Sequence, residues 1–178
     1  MKYASEDLIH EHKGILEGID ILESMIEEIN KGKSVDHSDL EEIVKFFRLF
    51  ADKCHHGKEE KSLFPEMIKS GISSENSPIE QMFKEHELGR EYISSMTSAL
   101  GNKKLNPDFV QAGKDYIELI RSHILKEDTI LFPMGDKQIP GDKQSELLEN
   151  FEKFEQEVMG EGIHEELHSL LGKLKNKY

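Results

Sequence analysis

Two stretches of this chain repeat one chemistry-bearing pattern. His55-His56-Gly57-Lys58-Glu59-Glu60-Lys61-Ser62-Leu63-Phe64-Pro65 and His123-Ile124-Leu125-Lys126-Glu127-Asp128-Thr129-Ile130-Leu131-Phe132-Pro133 both read His-x-x-Lys-Glu-acid-x-x-Leu-Phe-Pro without a gap. A shorter match precedes each, Glu11-His12 and Glu85-His86. The chain therefore offers Glu-His and then His-x-x-x-Glu, twice over. On a helix, His and Glu four residues apart lie on one face, one turn from each other. Two such pairs and two single histidines supply four imidazoles and two carboxylates. That set suits two transition-metal ions bridged by the carboxylates, with the imidazoles as terminal ligands. Imidazole favours Zn, Cu, Fe and Ni, carboxylate adds a hard oxygen, and nothing in the pattern supplies a soft thiolate. Mixed nitrogen and oxygen ligation with open positions is typical of non-haem iron that meets a small molecule.

The elements that must position these residues are helices. Leu8, Ile15, Ile19, Leu22, Ile26 and Ile29 recur at three- and four-residue steps, as do Leu40, Ile43, Val44, Phe47 and Phe50. Strand signals are nearly absent, with no period-2 run and no Asn-Gly hairpin. Four clusters of turn and helix-stop residues punctuate the chain: Asn30–Ser34, Ser70–Ser74, Gly101–Pro107 and Pro133–Gly141. The spacing predicts helices near 4–30, 36–69, 76–101 and 107–134, and a fifth from about 142 to 175. Four helices of similar length with short connections favour an antiparallel, up-down-up-down bundle. The expected organisation is one domain, a bundle over 1–137 with a C-terminal helical extension over 138–178 packed on it.

Bundle geometry tests the pattern independently. Residues that face each other across an antiparallel hairpin lie equally far from its turn. The midpoint of 12 and 55 is 33.5, inside the first turn, and that of 86 and 123 is 104.5, inside the third. Between the hairpins, the midpoint of 57 and 86 is 71.5, at Gly71. All four helices thus bring their histidine to one height. A single interior histidine is ordinarily a core or surface residue, and a lone His-x-x-x-Glu pair ordinarily supports an exposed helix. Burying four His and two Glu at one level without a cation would be expensive.

Composition narrows the function classes. The 178 residues are enough for one domain with a sizeable core. No stretch approaches the ~20 apolar residues that span a bilayer. The N-terminal MKYASEDLIHEHKG lacks the apolar run of a signal peptide, so a cytoplasmic protein is expected. The formal net charge of −13, with no basic stripe, argues against a nucleic-acid or anionic-membrane partner. The single cysteine, Cys54, forms no CxxC zinc or haem motif and reads as an inert buried thiol.

The remaining candidates are secondary. His56, about 100° round an α-helix from His55, reads as a polar group just behind the ligands or as an exposed residue, with an additional ligand as the alternative. His10 reads as solvated, and His37 as part of a helix start. His164 and His168, four apart in the C-terminal extension, form either a solvated face or a cap over the bundle in which His164 adds a ligand. Phe64 and Phe132 read as shields of the site. Tyr92 and Tyr116 read as core, or as donors to a group in it. Glu11 and Glu85 are candidate acceptors for imidazole N–H groups, alongside backbone carbonyls.

With these residues in place, the chain resembles the hemerythrin-like, or HHE cation-binding, family. The matched pattern is His…His-x-x-x-Glu…His…His-x-x-x-Glu, with Leu-Phe-Pro after each pair, over roughly residues 5–135. The resemblance implies an all-α up-down-up-down bundle, the architecture of myohemerythrin, around an oxo- or hydroxo-bridged di-iron centre, with Zn or Mn as substitute metals. Carried over by position, His12, His55, His86 and His123 would be terminal ligands, and Glu59 and Glu127 would bridge the irons. Ferritin-like proteins use Glu-x-x-His instead. Two departures stand out. Oxygen-carrying hemerythrins have His-x-x-x-His on the third helix, where this chain has Arg90 four residues after His86. They also end in His-x-x-x-x-Asp. Asp128 does lie five after His123, but the internal repeat favours Glu127, leaving Asp128 as an additional ligand or second-shell group. The chain is more similar to the branch linked to sensing of nitric oxide, peroxide or iron and to repair of iron centres. The implied function is binding or sensing of O2, NO or a related small oxidant. Decomposition of peroxide or NO, and iron storage or donation, are the alternatives.

Overall fold

The structure, a computed structural model, describes residues 2–101, 107–160 and 162–178. It is all-α, with no strand among the described residues. Helix α1 is Ser5–Asn30. Helix α2 covers residues 37–69 without interruption, but its character changes along the way. It is α-helical over His37–Phe46, π-helical over Phe47–His56 and Glu59–Leu63, and α-helical again over Phe64–Lys69. Helix α3 is Pro78–Leu100. Helix α4 covers 107–138, with Pro107–Lys126 and Phe132–Gln138 flanking a π-helical Glu127–Leu131. Each of these four packs against its two neighbours in a closed ring, α1 to α2 to α3 to α4 and back to α1. The turn between α3 and α4, expected over Gly101–Pro107, falls on residues 102–106, outside the described residues.

Local chemistry sets the helix ends. Ser77 accepts a hydrogen bond from the Glu80 N–H at 3.3 Å, and Glu80 reaches back to the Asn76 N–H at 2.7 Å. With Pro78 at the first helical position, this is a capped start for α3. His37 does open α2, and its Nε2 reaches the Leu100 carbonyl at 2.8 Å, satisfying a C-terminal acceptor of α3. Pro133 does not stop α4, which runs four residues past the expected 134. In both α2 and α4 the Phe-Pro pair follows a π-segment, and the proline falls in the first turn of the resumed α-helix. There its missing N–H costs least.

The core is split in two. One apolar cluster gathers Ile15, Ile19, Leu22, Leu40, Phe46, Phe47, Phe50, Met96, Phe109 and Tyr116, and a smaller one gathers Leu8, Leu63, Phe64, Met67, Met82, Leu131 and Phe132. A layer of buried polar side chains lies between them along the sequence of every bundle helix. Among the internal glycines, Gly18, Gly57 and Gly113 allow close packing, since a Cβ there would come within 2.6–2.7 Å of Phe46, Phe154 and Ile26.

The C-terminal extension differs from the single helix expected over 142–175. It forms two, α5 (Gly141–Val158) and α6 (Ile163–Lys175). Gly160 and Gly162 both take φ of +83°, a left-handed conformation that ends one helix and redirects the chain into the next. Leu147 and Phe151 of α5 enter the smaller cluster, and Leu167, Leu171 and Leu174 of α6 enter the larger. Among the described residues, no helix is long and apolar enough to cross a membrane.

Candidate metal centre

The polar layer brings together His12 of α1, His55 and Glu59 of α2, His86 of α3, and His123 and Glu127 of α4, all buried. The imidazoles meet in pairs by their Nε2 atoms, His12 with His55 at 3.0 Å and His86 with His123 at 3.2 Å. Each carboxylate spans both pairs. Glu127 sets one oxygen 3.3 Å from His12 Nε2 and the other 3.1 Å from His123 Nε2. Glu59 sets one oxygen 3.7 Å from His55 Nε2 and the other 3.4 Å from His86 Nε2. Two metal positions bridged by two carboxylates need this arrangement.

The opposite ring nitrogens explain why the Nε2 atoms face inward. Every Nδ1 meets a carboxylate: His12 with Asp128 at 2.8 Å, His55 with Glu11 at 2.8 Å, His86 with Glu60 at 2.7 Å, and His123 with Glu85 at 2.9 Å. A proton held at Nδ1 leaves the Nε2 lone pair free for a metal, and the carboxylate fixes the ring's direction. The scheme obeys the internal repeat. The acid after Glu59 and Glu127 orients the His of α3 and α1, and the acid before that His orients the His of α4 and α2. Behind them, Lys58 donates to Glu11 at 2.6 Å, and Lys126 donates to Glu85. Phe132 stacks on His12 with centroids 5.6 Å apart, and Phe64 stacks on His86 at 5.9 Å, closing the site from the side of the smaller cluster.

The residues fit a metal pair on their own chemistry. All four carboxylate oxygens of Glu59 and Glu127 are buried without a hydrogen-bond partner. Orphaned acceptors of this kind are costly unless something positive meets them. Burial, and then the neighbouring Glu127 charge, push Glu59 well above the usual carboxylate range. Burial works against Glu127 too, but His123 and His12 outweigh it and hold that carboxylate well below. Without a cation two facing buried carboxylates cannot both carry full charge. Burial lowers His55 and His86 well below the usual imidazole value, favouring the neutral form that binds metal. His123 lies the other way, raised to about 9 because Glu127 and Glu85 overcome its burial.

Other residues singled out in the sequence take varied places. Asp128 orients His12 through Nδ1. His164 lies away from the layer, its Nδ1 2.7 Å from Glu155 and its Nε2 2.9 Å from His168. His10 is exposed. Tyr116 is core, packed on Phe47, with a buried hydroxyl that has no partner, and Tyr92 is half-buried against the same cluster. Burial pushes the Cys54 thiol up to about 12, so it stays protonated beside Glu11 and Glu155, where the Lys58 ammonium already serves both carboxylates. Glu60 was not singled out, although the repeat marks it as the counterpart of Asp128. His56 is buried rather than exposed, and its ring lies against His86.

Residues 4–135 match the hemerythrin HHE cation-binding domain. The chain belongs to this family. The hemerythrin pattern accounts for the bundle and for the buried His and Glu groups able to hold metal. Uncharacterized proteins of Mycobacterium bovis and of two strains of Mycobacterium tuberculosis are each 26% identical over 166 residues, covering 89% of this chain. The alignment spans 63% of those longer relatives. No solved structure matches the chain significantly.

Proposed function

We propose that this hemerythrin-family chain is a non-haem di-iron protein that binds or senses O2, NO or a related small oxidant. The observation that carries the reading is the pair of buried carboxylates, each with one oxygen toward either histidine pair and none of the four oxygens otherwise satisfied. His12, His55, His86 and His123 would hold the two irons terminally, and Glu59 and Glu127 would bridge them. Iron in such a nitrogen and oxygen environment supplies redox-active open positions for a diatomic or peroxide. The protein supplies the rest. Asp128, Glu11, Glu60 and Glu85 hold the imidazoles in one tautomer, and Phe64 and Phe132 keep bulk water from the site.

Iron content and the ultraviolet–visible spectrum of the freshly purified protein test this reading. About two irons per chain, with a spectrum that changes on adding O2 or NO, are expected. One zinc or no metal would overturn it, and gas evolution from peroxide would move the reading to turnover. Glu59→Ala and His123→Ala should each lower iron content and thermal stability together, because metal binding is coupled to folding. Unchanged stoichiometry in both would remove them from the ligand set.

A further inference from the structure

We propose that His56 is a seventh metal-binding residue, serving the position of His86 and His123 and supplied by α2 in place of a histidine one turn after His86. The inference rests on reading the polar layer as a two-metal centre. Two groups of donors emerge within it, each with one atom per residue inside 4.8 Å of the rest: His12, His55, Glu59 and Glu127, and His56, Glu59, His86 and His123. Glu59 is shared. The first position has two imidazoles and the second has three.

His56 does not behave as a satisfied core histidine. It is buried, and its Nδ1 has no hydrogen-bond partner. Its ring lies flat on His86, with centroids 3.9 Å apart at 11°, and edge-on to His123 at 5.5 Å. A buried imidazole held this loosely by its only named carboxylate, Asp52 at 3.7 Å, and packed against two imidazoles whose Nε2 atoms face each other, is poorly satisfied without a cation. The backbone explains how two consecutive histidines both turn inward. His55 and His56 close the π-helical segment Phe47–His56, whose wider i→i+5 turn alters the facing that an α-helix would impose.

Arg90, which stands where the third-helix histidine of oxygen carriers would be, serves the groups behind this position. Its Nε donates to Asp52 at 2.7 Å and its terminal nitrogen to Glu60 at 2.7 Å. Glu60 orients His86, and Asp52 lies 3.7 Å from His56 Nδ1. The guanidinium thus aligns carboxylates behind two imidazoles instead of entering the layer. The repeat counterpart of His56 is Ile124, an apolar core residue, so the first position gains no equivalent.

The test loads metal-free wild type, His56→Ala and His56→Gln with ferrous iron under anaerobic conditions. It measures iron stoichiometry, affinity by chelator competition and Mössbauer spectra, with circular dichroism of each metal-free variant as the fold control. Wild type should hold two irons in distinct environments. Both variants should lose one iron, or hold it more weakly by more than the ~10–100-fold typical of a lost outer-shell partner. Free imidazole should restore it in His56→Ala. A folded variant with two irons, unchanged affinity and unchanged spectra would overturn the proposal, and His56→Gln keeps this outcome measurable should His56→Ala misfold. Failure of wild type to hold two irons would instead sink the two-metal reading itself.

Discussion

The two hairpins of the bundle carry the same arrangement of histidines and carboxylates, but the C-terminal extension packs mainly on the first. Lys58 and Lys126 occupy equivalent places, each gripping the glutamate that orients a metal-directed histidine. The Lys58 side chain is 2% exposed and also donates to Glu155 of α5 at 2.8 Å, with Asp7 at 3.4 Å. The Lys126 side chain is 33% exposed and reaches Glu85, which Gln81 also holds at 2.8 Å. One position earlier, Gly57 lies under the Phe154 ring, while its counterpart Leu125 is 63% exposed. The comparison shows one relay in two solvents. In the wet copy water can stand in for a missing partner. Beside the extension the Lys58 ammonium and Glu11, both cut off from water, must find their match in the protein.

Lys58→Met is expected to have the largest effect. It leaves Glu11 and Glu155 without their shared cation, and breaking a buried pair of this kind costs about 3–5 kcal/mol. Lys126→Met should cost no more than about 1 kcal/mol, as for a solvated pair. Urea midpoints of the metal-free proteins, at constant m, report the difference. Equal shifts would erase the distinction between the hairpins.

Gly57→Leu, which transplants the residue of the second hairpin into the first, comes next. Its Cβ would meet the Phe154 ring at 2.6 Å, and overpacking of this type costs about 1–3 kcal/mol. The reverse change, Leu125→Gly, should cost about 1 kcal/mol through helix propensity alone. Proteolysis of the extension should accelerate in the first variant and not in the second.

The smallest effect is a pH signature confined to the covered side. The His164 hydrogen bond and then Lys58 hold Glu155 down to about 2, against an ordinary 4.5. Its contribution is therefore present above about pH 4.5 and fades as pH falls toward 2. His164 is raised above 6.5 by the same bond, so its share is full below 6.5 and is lost as pH rises past its folded value. The difference in unfolding free energy between wild type and Glu155→Gln should be widest between about pH 4.5 and 6.5, at under about 1 kcal/mol. A gap that does not vary with pH would remove the Glu155–His164 pair from what holds the extension.

Much of this was legible in the residues. Helix spans followed from apolar spacing and stop signals, and the six side chains read from the repeat do lie together in one buried layer. Glu11 and Glu85 were visible as imidazole acceptors for the same reason. Three features were less so. His56 stood only as one of several polar readings, an additional ligand among them, because α-helical arithmetic fails inside a π-segment, whose widened turn leaves no periodicity of its own. Arg90 looked like a missing ligand, since only coordinates reveal the two carboxylates it aligns. The break in the extension had a signal, Gly160-Glu161-Gly162, but glycines elsewhere in this chain lie inside helices and the pattern does not separate the two cases.

The π-helical stretch in α2 also bears on how such a chain can change by descent. It accommodates an insertion within an otherwise α-helical run. Loss of one codon there would restore α-helical winding and leave the helix beyond it facing as it does now, because the widened turn has already absorbed the extra residue. Within the segment, however, two consecutive residues could no longer both turn inward as His55 and His56 do. A single small deletion would therefore change how many histidines this helix presents to the layer without disturbing the rest of the bundle.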